Sequence, residues 1–348
     1  MNTNARVFIT GVSGYLGSAI ATRLVRSGYE VHGLTRNVDR TSDLSSRGIH
    51  PVVGTLSKPD TFLPALKNCD VAIHAAFDPS DVANQDRLAL EAIRIGALDG
   101  RVRQLMYTST AWVHGDTGGQ SIDESAALNP IDLVRWRAAH EDVAIDLSEH
   151  DVKVVVLRPG TVYGSSRGII GSMFADAHDH GTLHYAGTGA QHWGVIHRDD
   201  VAEAYLRALE RATGGERYLL SDGSQYTVRQ IAEAIAKVTG AQLRPRDPSE
   251  VLKQFGLFGR ALLTSQKLDA SNARHELGWT PKHTSVIDEA ASSIRTGSLR
   301  AARRSHSPAT SGSHRPTAHS HKGAPFAFAS QSSPASMKRA VAMSGPQT

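Results

Sequence analysis

The amino-acid sequence predicts an α/β protein built on a doubly wound parallel β-sheet, with a smaller α/β lobe toward its C-terminus. Short apolar runs alternate with helical patterns through the first half of the 348 residues, which is typical of a parallel sheet with crossover helices. A glycine-rich turn stands between the first apolar run and the first helical pattern. The hydrophobic content of 40% is sufficient for a full buried core.

Six short apolar runs are predicted to be strands of this sheet. They cover residues 6–10, 30–34, 51–54, 71–74, 104–108 and 152–158. Between the first two runs, Ile20 and Leu24 lie on one face of a predicted helix over 18–26, and Gly28 is placed to end that helix. This stretch is therefore predicted to be a βαβ unit.

The pattern changes after residue 165 to loops rich in glycine and histidine. A helix is predicted over 200–211, a strand over 217–220, and a second helix over 227–239, which Thr227 can cap. We therefore expect a sheet domain to which the chain returns once, a smaller lobe, and a tail. Their predicted bounds are 1–165 with 195–220 for the sheet domain, 166–194 with 221–300 for the lobe, and 301–348 for the tail.

The net charge of +4 comes from the tail. Of the 38 Lys and Arg residues, six lie in 301–348, which has no acidic residue. Residues 1–300 therefore contain 32 basic and 34 acidic side chains. The rest of the chain is thus slightly acidic, and binding to nucleic acid is not expected. The composition of the tail predicts disorder, and its irregularly spaced histidines predict no metal site.

The cysteine content and the N-terminal sequence indicate the cellular compartment. Cys69 is the single cysteine, so no intrachain disulfide can form, and a reducing cytoplasm fits best. The N-terminal residues lack the long apolar stretch of a signal peptide or membrane span. We expect a cytoplasmic protein that is not bound to a membrane.

The glycine-rich turn predicts a dinucleotide site of the Rossmann type. Gly11, Gly14 and Gly17 follow a predicted strand and open a predicted helix. Glycine lets the chain turn sharply and approach a pyrophosphate, whose charge meets the unpaired amides and positive end of the helix. The alternative is that these glycines only make a tight turn. The predicted cofactor residues in this loop are Gly11, Ser13, Gly14, Tyr15, Leu16 and Gly17.

Arg36 favours NADP over NAD as the cofactor. Dinucleotide sites often have an acidic residue about 20 residues beyond the loop to bind the ribose hydroxyls, whereas an arginine there suits a 2′-phosphate. Here the second strand leads into Thr35-Arg36-Asn37. A solvated surface arginine is the alternative, and NAD stays open as a cofactor.

With these residues in hand, about 300 residues of the chain resemble the extended short-chain dehydrogenase/reductases, the NAD-dependent epimerase/dehydratase group. The resemblance rests on the glycine loop and on five further motifs, each found where that group has it. These are Asp70-Val71-Ala72-Ile73-His74-Ala75-Ala76, Ser109-Thr110 with Val113-His114-Gly115, Arg158-Pro159-Gly160-Thr161-Val162-Tyr163-Gly164, Val195-Ile196-His197-Arg198-Asp199-Asp200, and Glu276-Leu277-Gly278-Trp279-Thr280-Pro281.

The resemblance implies roles for several of these residues. Ala75 and Ala76 would pass beside the adenosine half of the cofactor, and Thr110 would place its hydroxyl near the reacting carbonyl. The loop after Arg158, which begins with Pro159, would line the nicotinamide. A homodimer formed through the helices around 85–100 and 133–148 would also resemble that group.

The chain departs from the family pattern at the Tyr-x-x-x-Lys pair, which supplies the acid/base in that group. Placing the helix by Glu141 puts Leu133 at the tyrosine position and Arg137 at the lysine position. The leucine side chain has no titratable proton, and arginine stays protonated at working pH, so this pair cannot perform acid/base chemistry. Arg137 can still bind the ribose or stabilise an oxyanion; a helix-surface arginine is the alternative. The chain therefore resembles an atypical branch.

Another group would have to donate the proton. Tyr163 is the first candidate, followed by His192, His197, an ordered water, and His114, which stands where the family usually has tyrosine. Each of these side chains has the alternative reading of a packing or scaffold residue. The predicted catalytic residues are Thr110, Arg137 and Tyr163, and Thr110, Arg137 and Pro159 are also predicted to contact the cofactor.

Three functions remain open at this point. The leading one is an NADP-dependent oxidoreductase that acts on a small-molecule carbonyl or alcohol. The second is a nucleotide-sugar epimerase or dehydratase, whose chemistry relies on the missing tyrosine. The third is a non-catalytic NADP-binding sensor. The substrate cannot be read from the sequence, because the variable lobe selects it.

Overall fold

A computed structural model describes residues 5–79 and 81–288. The strands, numbered in chain order, are β1 Arg6–Thr10, β2 Glu30–Thr35, β3 Ile49–Val53, β4 Val71–His74, β5 Gln104–Thr108, β6 Ser121–Ile122, β7 Lys153–Pro159, β8 Thr161–Tyr163, β9 Thr182–Ala186, β10 Val195–His197, β11 Glu216–Leu220, β12 Gln242–Arg246 and β13 Lys267–Leu268. The α-helices are α1 Tyr15–Arg26, α2 Thr41–Ser46, α3 Leu63–Lys67, α4 Val82–Leu98, α5 Arg135–Ile145, α6 Gly168–His180, α7 Arg198–Arg211, α8 Val228–Thr239, α9 Pro248–Phe255, α10 Leu257–Leu263 and α11 Ser271–Glu276.

Seven parallel strands form the central sheet in the order β11-β7-β5-β4-β1-β2-β3. The direction of winding reverses between β1 and β4. In sheets of this kind a ligand binds beyond the carboxyl ends of the strands at such a reversal. The predicted doubly wound fold is confirmed, and its topology places the glycine turn after β1 at this point.

Both faces of the sheet are covered by helices, as the sequence of β1 requires. Val7 and Ile9 pack into an apolar cluster on the side of α1, α7 and α11. Phe8, between them, packs into a second cluster on the side of α3, α4 and α5. Successive side chains of a strand point to opposite faces, so an unbroken apolar run indicates a strand buried on both sides.

A third apolar cluster, called here the lobe cluster, lies outside the central sheet. It combines side chains from β8 to β10 with others from α6, α8, α9 and α10. Its buried members include Tyr163, Met173, Leu183, Tyr185, Trp193, Ile231, Val251 and Phe258. Two short parallel strand pairs, β10 with β8 and β12 with β9, support it.

The predicted strands agree with the structure to within two residues, but the predicted start of the first helix is wrong. The helix begins at Tyr15 rather than at residue 18. Glycine has a low helix propensity, yet Gly17 lies inside the helix. A side chain at this position would overlap the carbonyl oxygen of Gly11, so only glycine fits. Thr227 caps α8 with a capping box to Gln230, as the sequence predicts.

The predicted tail at 301–348 lies outside the described residues. Within residues 5–79 and 81–288, none of the helices combines the length and the apolar character that a membrane crossing requires.

Candidate active site

The glycine turn between β1 and α1 packs so closely that side chains are excluded. Gly11 has φ +75°, and a Cβ there would lie 2.6 Å from the Cα of Ala76 and 2.7 Å from the carbonyl oxygen of Ala75. A Cβ on Gly17 would overlap the carbonyl oxygen of Gly11. The Gly14 amide donates to the same oxygen at 2.8 Å and closes the turn. The structure therefore brings the predicted glycines together with Ala75 and Ala76.

The N-terminus of α1 is open to an anion. Gly14 is its N-cap residue, no side chain caps the helix, and its first turn contains no acidic residue. Unpaired amides and the positive end of the helix dipole remain there. A turn that a Cβ would fill, followed by an uncapped helix, fits the diphosphate of a dinucleotide.

Tyr15 joins this turn to the loop after β8. Its hydroxyl donates to the carbonyl oxygen of Gly164 at 2.7 Å, and the guanidinium carbons of Arg167 and Arg198 lie 5.5 and 5.7 Å from its ring centre. Burial raises the pKa of the Tyr15 hydroxyl above its ordinary value, so it remains a donor at neutral pH.

Arg36 follows β2 at the same edge of the sheet. Its side chain is exposed and forms an ion pair with Asp78, which follows β4. Exposed pairs of this kind contribute little to stability, so the guanidinium can exchange partners at a small free-energy cost.

Arg137 is a buried residue and not the helix-surface arginine of the alternative interpretation. Its side chain is 9% exposed. Its Nη1 donates to the carbonyl oxygen of Thr108 at 2.6 Å, at the end of β5, and its guanidinium carbon lies 4.4 Å from the Trp136 ring centre. The oxygen Oδ1 of Asp86 is 3.7 Å from Nη1. The guanidinium is thus fixed beside the strand that leads to Thr110.

Asp86 is the residue of this site that sequence reasoning missed. It lies on the buried face of α4 and accepts hydrogen bonds from His74 at 3.0 Å, His140 at 2.8 Å and the Tyr107 hydroxyl at 2.8 Å. His74 is in turn 2.6 Å from the hydroxyl of Thr10, the last residue of β1. The sequence contained one signal of this role: Asp86 is an acidic residue on a helix face that is otherwise apolar.

The charge of Asp86 is maintained by these partners. Burial alone raises the pKa of Asp86, but the charge of His74, hydrogen bonds from His140 and His74, and the charge of Arg137 together hold it well below its ordinary value of 3.8. The carboxylate therefore stays ionised at neutral pH and can balance the guanidinium.

Thr110 begins the short helix Ala111–His114, and its Oγ1 accepts the Trp112 amide at 3.3 Å. Its neighbour Ser109 donates to the buried Glu141, which also accepts from Arg158 Nε at 3.1 Å. These contacts fix the end of β5. Thr110 itself is only partly buried.

His114 lies in the same buried group as Arg158. Its Nε2 is 3.1 Å from Arg158 Nη1, and burial, reinforced by the charge of Arg158, lowers its pKa to about 4. The imidazole is therefore neutral at physiological pH.

Tyr163, a member of the lobe cluster, and His197 lie in contact with each other. The Tyr163 hydroxyl donates to Asp222 at 3.2 Å and to the carbonyl oxygen of His283 at 3.3 Å. The His197 ring meets the Tyr163 ring edge-on, with centroids 5.2 Å apart, and its Nδ1 accepts the Asp199 amide. The structure places the rings of these two candidates in contact. Each forms hydrogen bonds with other residues.

His192 and Pro159 take different places. His192 is partly buried, its backbone amide donates to Ser265 at 3.1 Å, and burial followed by the charge of Lys267 lowers its pKa. Pro159 ends β7. These contacts leave the roles of both residues as predictions.

His197, Asp200 and His283 hold their ligand atoms within 4.8 Å of one another. The two imidazole rings are stacked at 3.7 Å, however, and a metal ion lies in the plane of each imidazole that binds it. The Asp200 carboxylate already accepts the Lys282 and His283 amides at 2.9 Å. This cluster fastens the segment after Pro281 to α7.

Comparison with known proteins identifies the family. The family model described as NAD dependent epimerase/dehydratase family matches residues 7–221. The chain belongs to this family. Membership places it among nicotinamide-dependent oxidoreductases and epimerases, in agreement with the glycine turn.

The chain is similar in sequence or in fold to proteins with different names. An uncharacterized protein of Schizosaccharomyces pombe is 30% identical over 293 residues, which cover 82% of this chain and 98% of that protein. The 4-hydroxy-2-methyl-3-oxo-4-farnesyl-3,4-dihydroquinoline-1-oxide ketoreductase of Stigmatella aurantiaca is 28% identical over 245 residues, 68% of this chain and 73% of that protein. The dTDP-glucose 4,6-dehydratase of Streptomyces venezuelae, in a crystal structure with NAD, has a TM-score of 0.73 at 22% identity and covers 86% of this chain and 98% of its own.

Replacing Asp86 by Asn tests the buried charge network. The folded state depresses the pKa of Asp86, so its stabilising effect is complete above its ordinary pKa of 3.8 and is lost as the pH falls toward the folded-state value. We expect Asp86→Asn to lower the free energy of unfolding at pH 7 by about 3–5 kcal/mol. The difference from the wild type should shrink below about pH 4, as measured by urea unfolding.

Asp99→Asn is the matched control, because Asp99 ends the same helix with its side chain 64% exposed. It should change stability by less than about 1 kcal/mol. A constant difference between wild type and Asp86→Asn from pH 7 to pH 3 would contradict the depressed pKa.

Proposed function

We propose that this protein is an NADP-dependent oxidoreductase that interconverts the carbonyl and alcohol forms of a small molecule. The observation that carries the proposal is the buried guanidinium of Arg137, held beside the end of β5. By the family resemblance, Leu133 stands at the position of the proton donor. A guanidinium stabilises developing negative charge on oxygen without exchanging a proton. Carbonyl reduction requires that stabilisation and one proton, which water can supply.

The proton chemistry separates this function from epimerisation or dehydration of a sugar nucleotide. Those reactions move protons on and off the substrate repeatedly and depend on a titratable side chain at the reacting centre. Leu133 packs against the lobe cluster and carries no proton. Loss of a general acid typically slows a reaction by about 10²–10⁴, which a simple reduction tolerates. The ketoreductase name of the Stigmatella aurantiaca relative supports the same choice.

The cofactor supplies a hydride when it is bound in its reduced form. We propose that the glycine turn holds its diphosphate, that Arg36 binds a 2′-phosphate, and that residues after β4, β5 and β7 line the remainder. The proposed contacts are Gly11, Ser13, Gly14, Tyr15, Leu16, Gly17, Arg36, Ala75, Ala76, Thr110, Arg137 and Pro159. Substrate selection is assigned to the lobe formed by 166–194 and 221–300.

A cytoplasmic homodimer is part of the proposal. Burial raises the pKa of the Cys69 thiol to about 12, which suits a reduced, unreactive cysteine. The helices α4 and α5 would form the interface, and they expose Leu98 and Val143 at 48% and 49%. Exposed apolar side chains on adjacent helices are what such an interface would cover.

A reductase assay tests the proposed function. Purified protein with NADPH and a panel of aldehydes, ketones and quinones should consume NADPH, followed by absorbance. Arg137→Ala should lower kcat by about 10²–10³, as expected for loss of one oxyanion-stabilising donor, while Arg137→Lys should retain part of the activity. The matched control is Arg135→Ala in the same helix, since that side chain is 74% exposed. It should have wild-type activity.

Other outcomes would overturn the proposal in distinct ways. Conversion of sugar nucleotides without net NADPH consumption would identify an epimerase or dehydratase. Tight NADP binding with no turnover across the panel would identify a sensor protein. Equal kcat for wild type and Arg137→Ala would remove Arg137 from the mechanism.

The third prediction concerns the choice of cofactor. Arg36→Ala should weaken NADP binding by about tenfold to a hundredfold, because one charge-assisted contact contributes about 1.5–3 kcal/mol. NAD, which has no 2′-phosphate, should lose less than about twofold. Calorimetric titration of both cofactors measures the difference, and Arg40→Ala, a nearby exposed arginine, is the control. Equal losses for NADP and NAD would refute the assignment.

A further inference from the structure

The loop at 164–168, which follows β8, packs against Tyr15 at both of its ends. The carbonyl oxygen of Gly164 accepts the Tyr15 hydroxyl at 2.7 Å. At the other end, a Cβ on Gly168 would lie 3.4 Å from Cε1 of Tyr15, so the backbone there lies against the ring. Tyr15 is the first residue of α1, the helix whose N-terminus is the candidate diphosphate site. The loop therefore borders that site.

Two consecutive residues of this loop have left-handed backbone conformations. Ser165 and Ser166 both have φ +55°, a region that residues with a side chain adopt at a free-energy cost. Gly171 packs directly against the second of them, since a Cβ there would lie 2.4 Å from the carbonyl carbon of Ser166. Backbone strain persists where the surrounding structure fixes it, and it is concentrated at functional sites. The side chain that follows the strained pair is Arg167.

Arg167 is a partly buried cation beside Tyr15. Its guanidinium carbon lies 5.5 Å from the Tyr15 ring centre, which is a cation–π contact. In the part of the chain that the structure describes, no carboxylate pairs with this guanidinium and no oxygen accepts a hydrogen bond from it. The second guanidinium at the ring, that of Arg198, differs, because Asp199 pairs with it at 3.3 Å. The charge of Arg167 is thus not compensated by a described residue.

We propose that Arg167 binds the diphosphate of the cofactor, as a residue of the binding site additional to the glycine turn. This inference rests on the proposed function. A helix N-terminus presents roughly half an elementary charge, whereas the diphosphate has a negative charge on each phosphate. A guanidinium adds a full positive charge and donates several hydrogen bonds to phosphate oxygens. The Tyr15 ring keeps this guanidinium next to the first turn of α1.

Arg167 and Arg36 would recognise different parts of the cofactor. Arg36 follows β2, at the proposed position of the 2′-phosphate, which NADP has and NAD lacks. The diphosphate is common to both cofactors. Loss of Arg167 should therefore weaken the binding of NADP and NAD equally, whereas loss of Arg36 should weaken NADP selectively.

Calorimetric titration of the full chain with NADP⁺, NAD⁺ and adenosine 2′-monophosphate tests the inference. Arg167→Gln should weaken NADP⁺ and NAD⁺ alike, by about tenfold to a hundredfold, because one charge-assisted contact to the diphosphate is lost. It should leave adenosine 2′-monophosphate, which has no diphosphate, within about twofold, and this binding also shows that the variant is folded. Arg167→Lys keeps the charge without the planar set of donors and should lose less affinity.

Arg26→Gln is the matched control. Arg26 is an exposed arginine at the opposite end of α1, and it likewise has no ion-pair partner among the described residues. This variant removes the same charge far from the turn and should change each of the three affinities by less than about twofold. Unchanged affinity of Arg167→Gln for both cofactors would overturn the assignment, and so would a loss confined to NADP⁺. Equal weakening of both cofactors, with no carbonyl reduced by the wild type, would instead overturn the proposed reductase and leave the diphosphate contact intact.

Discussion

The close contact between the Gly11 turn and the backbone of Ala75 and Ala76 is the constraint on which the site depends. It brings the ends of β1 and β4 together at the point where the winding of the sheet reverses. Gly14 is the N-cap residue of α1, so no side chain caps the first amides of this helix, an arrangement that suits an anion. The Tyr15 hydroxyl then donates to the carbonyl oxygen of Gly164, which ties the turn to the loop after β8.

The second feature is a buried charge network that includes Arg137, a residue of the proposed reaction centre. Asp86 and Arg137 lie in different helices, and each would be costly to bury alone. Together with His74, His140 and Tyr107 they form a set in which the carboxylate has three hydrogen-bond donors. The guanidinium is held at the end of β5 by this network. A fixed positive charge that does not titrate at working pH is the chemical basis of our proposal of carbonyl reduction in place of epimerisation.

Local patterns in the sequence predicted most of the fold and the glycine turn, because alternating apolar runs and glycine spacing are themselves local. The start of α1 could not be predicted, since Gly17 is required by its contact with the Gly11 carbonyl and not by helix propensity. The burial of Arg137 depends on Asp86, which lies in another helix. The residue spacing within α5 therefore could not predict that Arg137 is buried. The hydrogen bond of Tyr163 to Asp222 likewise joins distant parts of the chain. The roles of Thr110, Arg137, Tyr163 and Pro159 stay predictions.

The measurement that tests the account most directly is a calorimetric titration of the purified full chain with NADPH, beside the variant Gly17→Ala. The account predicts one binding site per chain in the wild type and at least about tenfold weaker binding in the variant, because an added methyl group displaces the Gly11 carbonyl and distorts the diphosphate turn. Circular dichroism should show that both proteins are folded. Absence of binding to the wild type at millimolar NADPH, or equal affinity of the two folded proteins, would contradict it.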